Sequence, residues 1–218
     1  MISNPKVLSV TGIGVDKLKL DALRKRPVQV RGMQRVTDVL DGCERLLRTK
    51  RIEDISIEEI ANEAKIQIGS LYHFFPDKTA VIITMLERVL AEEGETFKLR
   101  PDDDALNFRE YLAALEVRMT SIWRSHSSSL DLYFAFRTHP LIWEMTLESR
   151  RQTAEQIAIK LIQIYPMLTR QRALQQGSTI SMTMGVLIDN LEYLPPDSQE
   201  SLRREVFTML SQYVGYTI

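Results

Sequence analysis

An all-α fold in two unequal parts is predicted for this 218-residue chain by three observations. Apolar residues recur at three- and four-residue intervals over most of its length, the spacing of helices with one inner face. Pro27, Pro76, Pro101, Pro140, Pro166 and the pair Pro195-Pro196 fall between those runs, where helices start or stop. Two short helices joined by a tight turn occupy residues 56–78, ahead of a longer helical remainder. The chain therefore divides into a leading arm at 1–28, a three-helix unit at 29–78 and a larger helical body at 79–218.

Residues 1–28 have weak periodicity, with Gly12, Gly14 and Pro27, and read as a mobile basic arm carrying a short helix near 16–23. Gly12-Ile13-Gly14 is no dinucleotide fingerprint, because the preceding strand and the third glycine are missing. The stripe Val36, Val39, Leu40, Cys43, Leu46 and Leu47 marks the first helix of the unit. Ser56 then stands as an N-cap, with Glu59 placed to complete a capping box and Ile55 and Ile60 to form a hydrophobic staple. Ile57, Ile60, Ala61 and Ala64 share the inner stripe of that helix, while Glu58, Asn62 and Glu63 face water.

Lys65-Ile66-Gln67 is too short for anything but a sharp corner. In the helix beyond it, Leu71, Phe74 and Phe75 point inward, and Gln67, Ser70 and His73 recur on the opposite side. Gly69 carries no side chain to hold another surface away. Pro76 ends this helix, and Asp77 caps a following one that starts near Lys78. A short second helix with small, polar and aromatic groups on an open face has the form of an element that enters the major groove of DNA.

Charge is nearly balanced overall, at 28 basic against 29 acidic residues, which argues against indiscriminate polyanion binding. Residues 1–52, however, hold 12 Lys/Arg against 5 Asp/Glu, so 12 − 5 = +7, and the remainder carries −8. A basic front end ahead of a helix-turn-helix is an electrostatic footprint for phosphate contact, densest at Arg24-Lys25-Arg26, Arg31 and Arg35. A solvated charged tail is the alternative. The single Cys43 excludes an internal disulfide and lies on a packing stripe. Without a signal peptide or a membrane-length apolar run, a soluble cytoplasmic protein is expected.

The segment resembles the DNA-binding domain of the TetR family of transcriptional regulators. Ala64, Ile66, Gly69, Leu71, Tyr72, His73, Phe74, Phe75 and Lys78 stand in register with its pattern. Lys65 occupies the position of the usual Gly, at a cost of about 1 kcal/mol in a left-handed C-cap. Gln67 occupies the position of the usual Ser. The resemblance implies a homodimer that reads a palindromic double-stranded DNA operator, and repression as the default action. Gln67, Ser70 and His73 are the candidates for base edges. Tyr72 and Lys78 are candidates for phosphates by resemblance, with Arg31, Arg35 and the cap Ser56 beside them. Packing under the first helix is the alternative for Tyr72, and plain surface exposure for His73.

The body reads as helices throughout. The first spans about 79–93, with Val81, Met85, Leu86, Val89 and Leu90. Pro101-Asp102-Asp103-Asp104 forms a loop whose last Asp is placed to cap a long helix carrying Phe108, Tyr111, Leu112, Leu115, Met119, Ile122 and Trp123. A short helix near 130–137 precedes another from Pro140 toward Tyr165. The last two, at 172–194 and after a cap at Asp197 or Ser198, carry more apolar surface than one partner covers. With the resemblance, they are expected to pair two subunits.

Met85, Met119, Trp123, Phe134, Trp143 and Met182 are pocket material for a mostly apolar effector, although such stripes also build plain cores. Arg118, His126, Arg137 and Asp189 are the polar groups available to orient it. No cofactor, metal or catalytic constellation is expected, since His73, His126 and His139 are scattered and no phosphate loop or zinc spacing occurs. The rival readings are a regulator without a small-molecule ligand, an activator, and a helical adaptor that binds only protein.

Overall fold

The computed structural model describes residues 17–191 and 193–215, for 127–130 the backbone alone. Its α-helices run in the order α1 (Val30–Leu47), α2 (Ile57–Glu63), α3 (Ile68–Phe74), α4 (Lys78–Thr96), α5 (Phe108–Ser125), α6 (Ser127–Phe136), α7 (Pro140–Ile164), α8 (Arg170–Leu191) and α9 (Pro196–Gly215). The all-α architecture, with a helix-turn-helix unit ahead of a larger helical body, is the one expected.

Local signals set most of the ends. Ser56 accepts from the Glu59 backbone N–H at 3.1 Å and Glu59 accepts from that of Ser56 at 2.8 Å, closing the capping box. Ile55 and Ile60 are both buried. Asp77 caps α4 by accepting from Ala80 N at 2.8 Å, and Pro140 opens α7. Two ends differ from expectation. Asn107, with Glu110, caps α5, because Asp102 to Asp104 are taken up in a 3-10 turn, Pro101–Ala105. Helix α9 begins at Pro196, so Asp197 and Ser198 lie within its first turn instead of capping it.

The corner between α2 and α3 is a left-handed closure. Lys65 has φ 57°, its N–H donates to Asn62 O at 3.0 Å, and Ile66 N–H donates to Ala61 O at 3.0 Å. That pair of bonds returns two terminal carbonyls of α2 to satisfied partners. A lysine here bears the crowding of its Cβ against the following carbonyl. Replacing Lys65 by Gly should therefore raise stability by about 1 kcal/mol, read as a higher denaturant midpoint at an unchanged slope.

The first core joins α1, α2 and α3 to α4 and to Ile122, Trp123, Leu132, Tyr133 and Ile142 of the body. The second lies among α5, α7, α8 and α9. Packing thus does not break at 78/79. Every residue at 80–90 is buried, because α4 runs through the centre with α1, α5, α6 and α7 around it. Its buried charged side chains reach the leading segment, α1 and the end of α5. Glu87 accepts from the backbone of Lys19 and Leu20, and Arg88 donates to Asp41 and Glu44 of α1. Glu92 meets His126, and Glu93 accepts from the Trp123 indole at 3.2 Å.

The arm is also different from the expectation over its described part. Leu18 and Leu20 are buried, and Leu20 takes φ 57° at a turn, so no helix runs through 18–23. Residues 1–16 lie outside the described residues.

Candidate nucleic-acid interface

Helix α3 is held from beneath by Leu71 and Phe74, both buried, with Phe75 just past its end. Its other side is open. Gln67 opens the helix with an exposed side chain that makes no capping bond, so the amide is left to reach outward. A Cβ built at Gly69 meets nothing within 4 Å. Tyr72 is 38% exposed, which removes packing beneath α2 as its whole role. His73 is exposed, its ring edge-on to Phe74 with centroids 4.9 Å apart, and Ser70 is half-buried. Arg31 and Arg35 are exposed on α1, one turn apart, and neither has an ion-pair partner among the described residues.

Ser56 and Lys78 stand apart from the other six candidate contact residues. The Ser56 hydroxyl is occupied by the α2 capping box. The Lys78 ammonium donates to Ile52 O at 2.8 Å and to Ile55 O at 2.9 Å, bracing the turn that leads into α2. Two carbonyls supplied by a segment 23 and 26 residues earlier draw the ammonium inward, an arrangement invisible to a local reading.

The six candidate pocket residues do not surround one cavity. Met85 is buried in the first core and Met119 in the second. Trp123 is buried with its N–H satisfied by Glu93. Phe134 is half-buried, its ring beside Tyr133 and Tyr193. Only Trp143 and Met182 are brought together, lining a groove of about 450 Å³ between α6, α7 and α8. Helical spacing marks an inner face, and a core and a cavity wall share that spacing. Of the polar candidates, Arg137 and Asp189 line the same groove. Burial raises the Asp189 carboxyl above its usual range, partly offset by Arg150 at 3.9 Å. Arg118 is locked on Asp103 by two N–H donors at 3.0 and 3.1 Å, and His126 lies between two carboxylates.

Residues 39–85, from the middle of α1 to the middle of α4, match the model of bacterial regulatory proteins of the tetR family. The chain is 25% identical over 132 residues to the HTH-type transcriptional regulator EthR of Mycobacterium tuberculosis, covering 60% of this chain and 55% of that protein. The EthR of Mycolicibacterium smegmatis is 29% identical over 73 residues, 34% of each chain. The chain thus spans about half the length, or less, of these relatives. A tetR-family transcriptional regulator from Streptomyces coelicolor shares the fold at TM-score 0.60 and 18% identity, over 88% of this chain and 85% of the other. A TetR-family transcriptional regulator from Haemophilus influenzae does so at TM-score 0.55 and 14% identity, over 83% and 98%. With an open-faced second helix set on a tight left-handed corner, residues 39–85 are similar to the bacterial regulatory proteins of the tetR family, and the chain as a whole shares their fold.

Proposed function

We propose that this protein is a transcriptional repressor that binds a palindromic operator in double-stranded DNA as a homodimer and is released by a mostly apolar small molecule. The observation that carries the reading is the outer face of α3, where Gln67, Tyr72 and His73 project around an open Gly69. Gln67 suits an adenine edge, and Ser70 and His73 add less discriminating contacts. Tyr72, Arg31 and Arg35 suit phosphates, which fix register without reading sequence. Ser56 and Lys78 serve mainly to hold the turn and α2 in place.

Two subunits are favoured by the apolar surface of the last helices and their connection. Tyr193 beyond α8 and Met209 on α9 are 65% and 51% exposed, outside the groove that Met182 and Val186 line. A two-fold pair would set two α3 helices in successive major grooves, about 34 Å apart. The groove at Trp143 and Met182 is the site that suits an effector. A ligand there shifts the DNA-binding equilibrium only by its differential affinity for the two states.

Gly69→Ala is the sharpest test, because its two effects have opposite signs. Alanine is the better helix residue and meets no protein atom, so stability should rise by up to about 1 kcal/mol. DNA affinity should nonetheless fall, as the methyl group holds the groove away. Unchanged affinity in a mobility-shift titration would place the DNA-facing surface elsewhere. Gln67→Ala should relax preference at one base position by about 1–3 kcal/mol while leaving the salt dependence intact. A uniform loss across all sequences would instead make Gln67 a phosphate contact.

A further inference from the structure

Residues 17–28 cross from the centre of the body to the recognition helix, and both ends of the crossing are pinned. At the first end, the Glu87 carboxylate accepts from the backbone N–H of Lys19 and from that of Leu20, the latter 3.2 Å from each oxygen. Leu18 and Leu20 bury beside it, and Leu20 is held in a left-handed conformation that leucine avoids unless constrained. At the other end, Arg24 N–H donates to Phe74 O at 2.8 Å, the last carbonyl of α3. Pro27 is buried there against Gly32, where an added Cβ would lie 3.1 Å from the Pro27 ring and 3.5 Å from Phe74. That tight space fixes the segment against both α1 and α3.

Between the pins the chain displays cations. Arg26 pairs with Asp21 at 2.6 Å, but Arg24 and Lys25 are exposed with no ion-pair partner among the described residues. They sit at the end of α3 that carries Tyr72 and His73, near Arg31 on the first turn of α1. Residues 24–35 hold five Lys/Arg and no Asp or Glu, so this end carries +5, while Lys17 and Lys19 lie at the body end beside Glu87 and Glu148. A floating basic tail would make only diffuse contact, whereas a tethered one meets the backbone at a defined place.

We propose that residues 17–28 form a strap that presents Arg24 and Lys25 to the DNA phosphates flanking the recognition helix, with Glu87 as its positioning residue. The proposal rests on the DNA-binding reading. Because Glu87 belongs to the buried helix α4, a rearrangement of the body reaches DNA by a second route, through the strap as well as through the start of α4.

The test is the salt dependence of affinity for a random-sequence duplex, using the full chain. Each phosphate contact contributes about 0.9 to the slope of log affinity against log salt. The surface double variant Arg24→Gln/Lys25→Gln should lower the slope by about 1.8. Glu87→Ala should lower it by a similar amount with both cations still present, whereas Glu87→Gln, which keeps an acceptor oxygen, should retain most of it. Adding Glu87→Ala to the double variant should change little further. A steep wild-type slope that Arg24→Gln/Lys25→Gln leaves unmoved overturns the strap alone. So does a Glu87→Ala effect that adds in full to that of the pair. A wild-type slope near zero overturns the DNA-binding reading itself.

Discussion

Gly177→Ala should lower the thermal midpoint by about 2–8 °C, even though alanine is the better helix former. A Cβ at Gly177 would lie 2.3 Å from Ala154 O, and 3.2 and 3.3 Å from two further backbone atoms of α7. Backbone does not swing aside as a side-chain tip does, so α7 and α8 must separate along their common seam. That seam is lined by small or buried residues, among them Ala154, Ala158, Ala173, Gly177 and Ser181, whose hydroxyl donates to Arg150 O at 2.9 Å. Overpacking of a closed interface costs about 1–3 kcal/mol, enough to outweigh the helix-propensity gain of about 1 kcal/mol. Thermal unfolding followed by circular dichroism gives the sign directly. A midpoint at or above wild type would mean that α7 and α8 lie farther apart than described. The same substitution at Gly69 is expected to stabilise, so the pair isolates tertiary contact from propensity.

His126→Gln should remove a stability that depends on pH. His126 occupies the corner between α5 and α6, with Nδ1 3.0 Å from Glu44 of α1 and Nε2 3.1 Å from Glu92 of α4. A carboxylate on each ring nitrogen requires both nitrogens to carry protons, so the ring is a cation. These two hydrogen bonds, opposed by burial, raise its pKa to about 9. Glu44 is lowered correspondingly, chiefly by the hydrogen bond from His126. The folded pKa lies above the ordinary 6.5, so the folded protein binds the proton more tightly than the unfolded chain. The contribution is fully present below pH 6.5 and is lost as pH rises through 9. After allowance for solvent screening it amounts to about 2 kcal/mol.

Wild-type stability should therefore decline between those two pH values, and His126→Gln should lack most of that decline while being less stable at pH 6. Glutamine donates from one nitrogen and leaves one carboxylate without its partner. Parallel pH profiles for the two proteins, measured by denaturant titration, would refute the charged-histidine assignment. Arg88 shares the cluster, donating to Asp41 and to Glu44, so the corner also ties the helix-turn-helix unit to the body.

The amino-acid sequence by itself determined the helix order, most of the helix ends and the open face of α3. Caps such as Ser56–Glu59 and Asp77–Ala80 are written within three residues, and inner faces repeat every three or four, so a local reading recovers them. The face of α3 was legible for the same reason, since Leu71 and Phe74 on one side imply Gln67 and His73 on the other. Lys65 was legible too, as the backbone geometry of the corner constrains whatever residue stands there.

Only the tertiary structure decided where the charges went. Glu87, Arg88, Glu92 and Glu93 look like the polar side of an amphipathic helix, yet α4 is surrounded and all four are buried. Their partners lie far away in the chain, at Leu20, 67 residues before Glu87, at Glu44, 44 before Arg88, and at His126, 34 after Glu92. Lys78 turned inward and residues 17–28 became fixed for the same reason. The dispersal of the pocket candidates was equally hidden. Helical spacing says which side chains face inward, while the distance between helix axes decides whether they meet a core or a cavity.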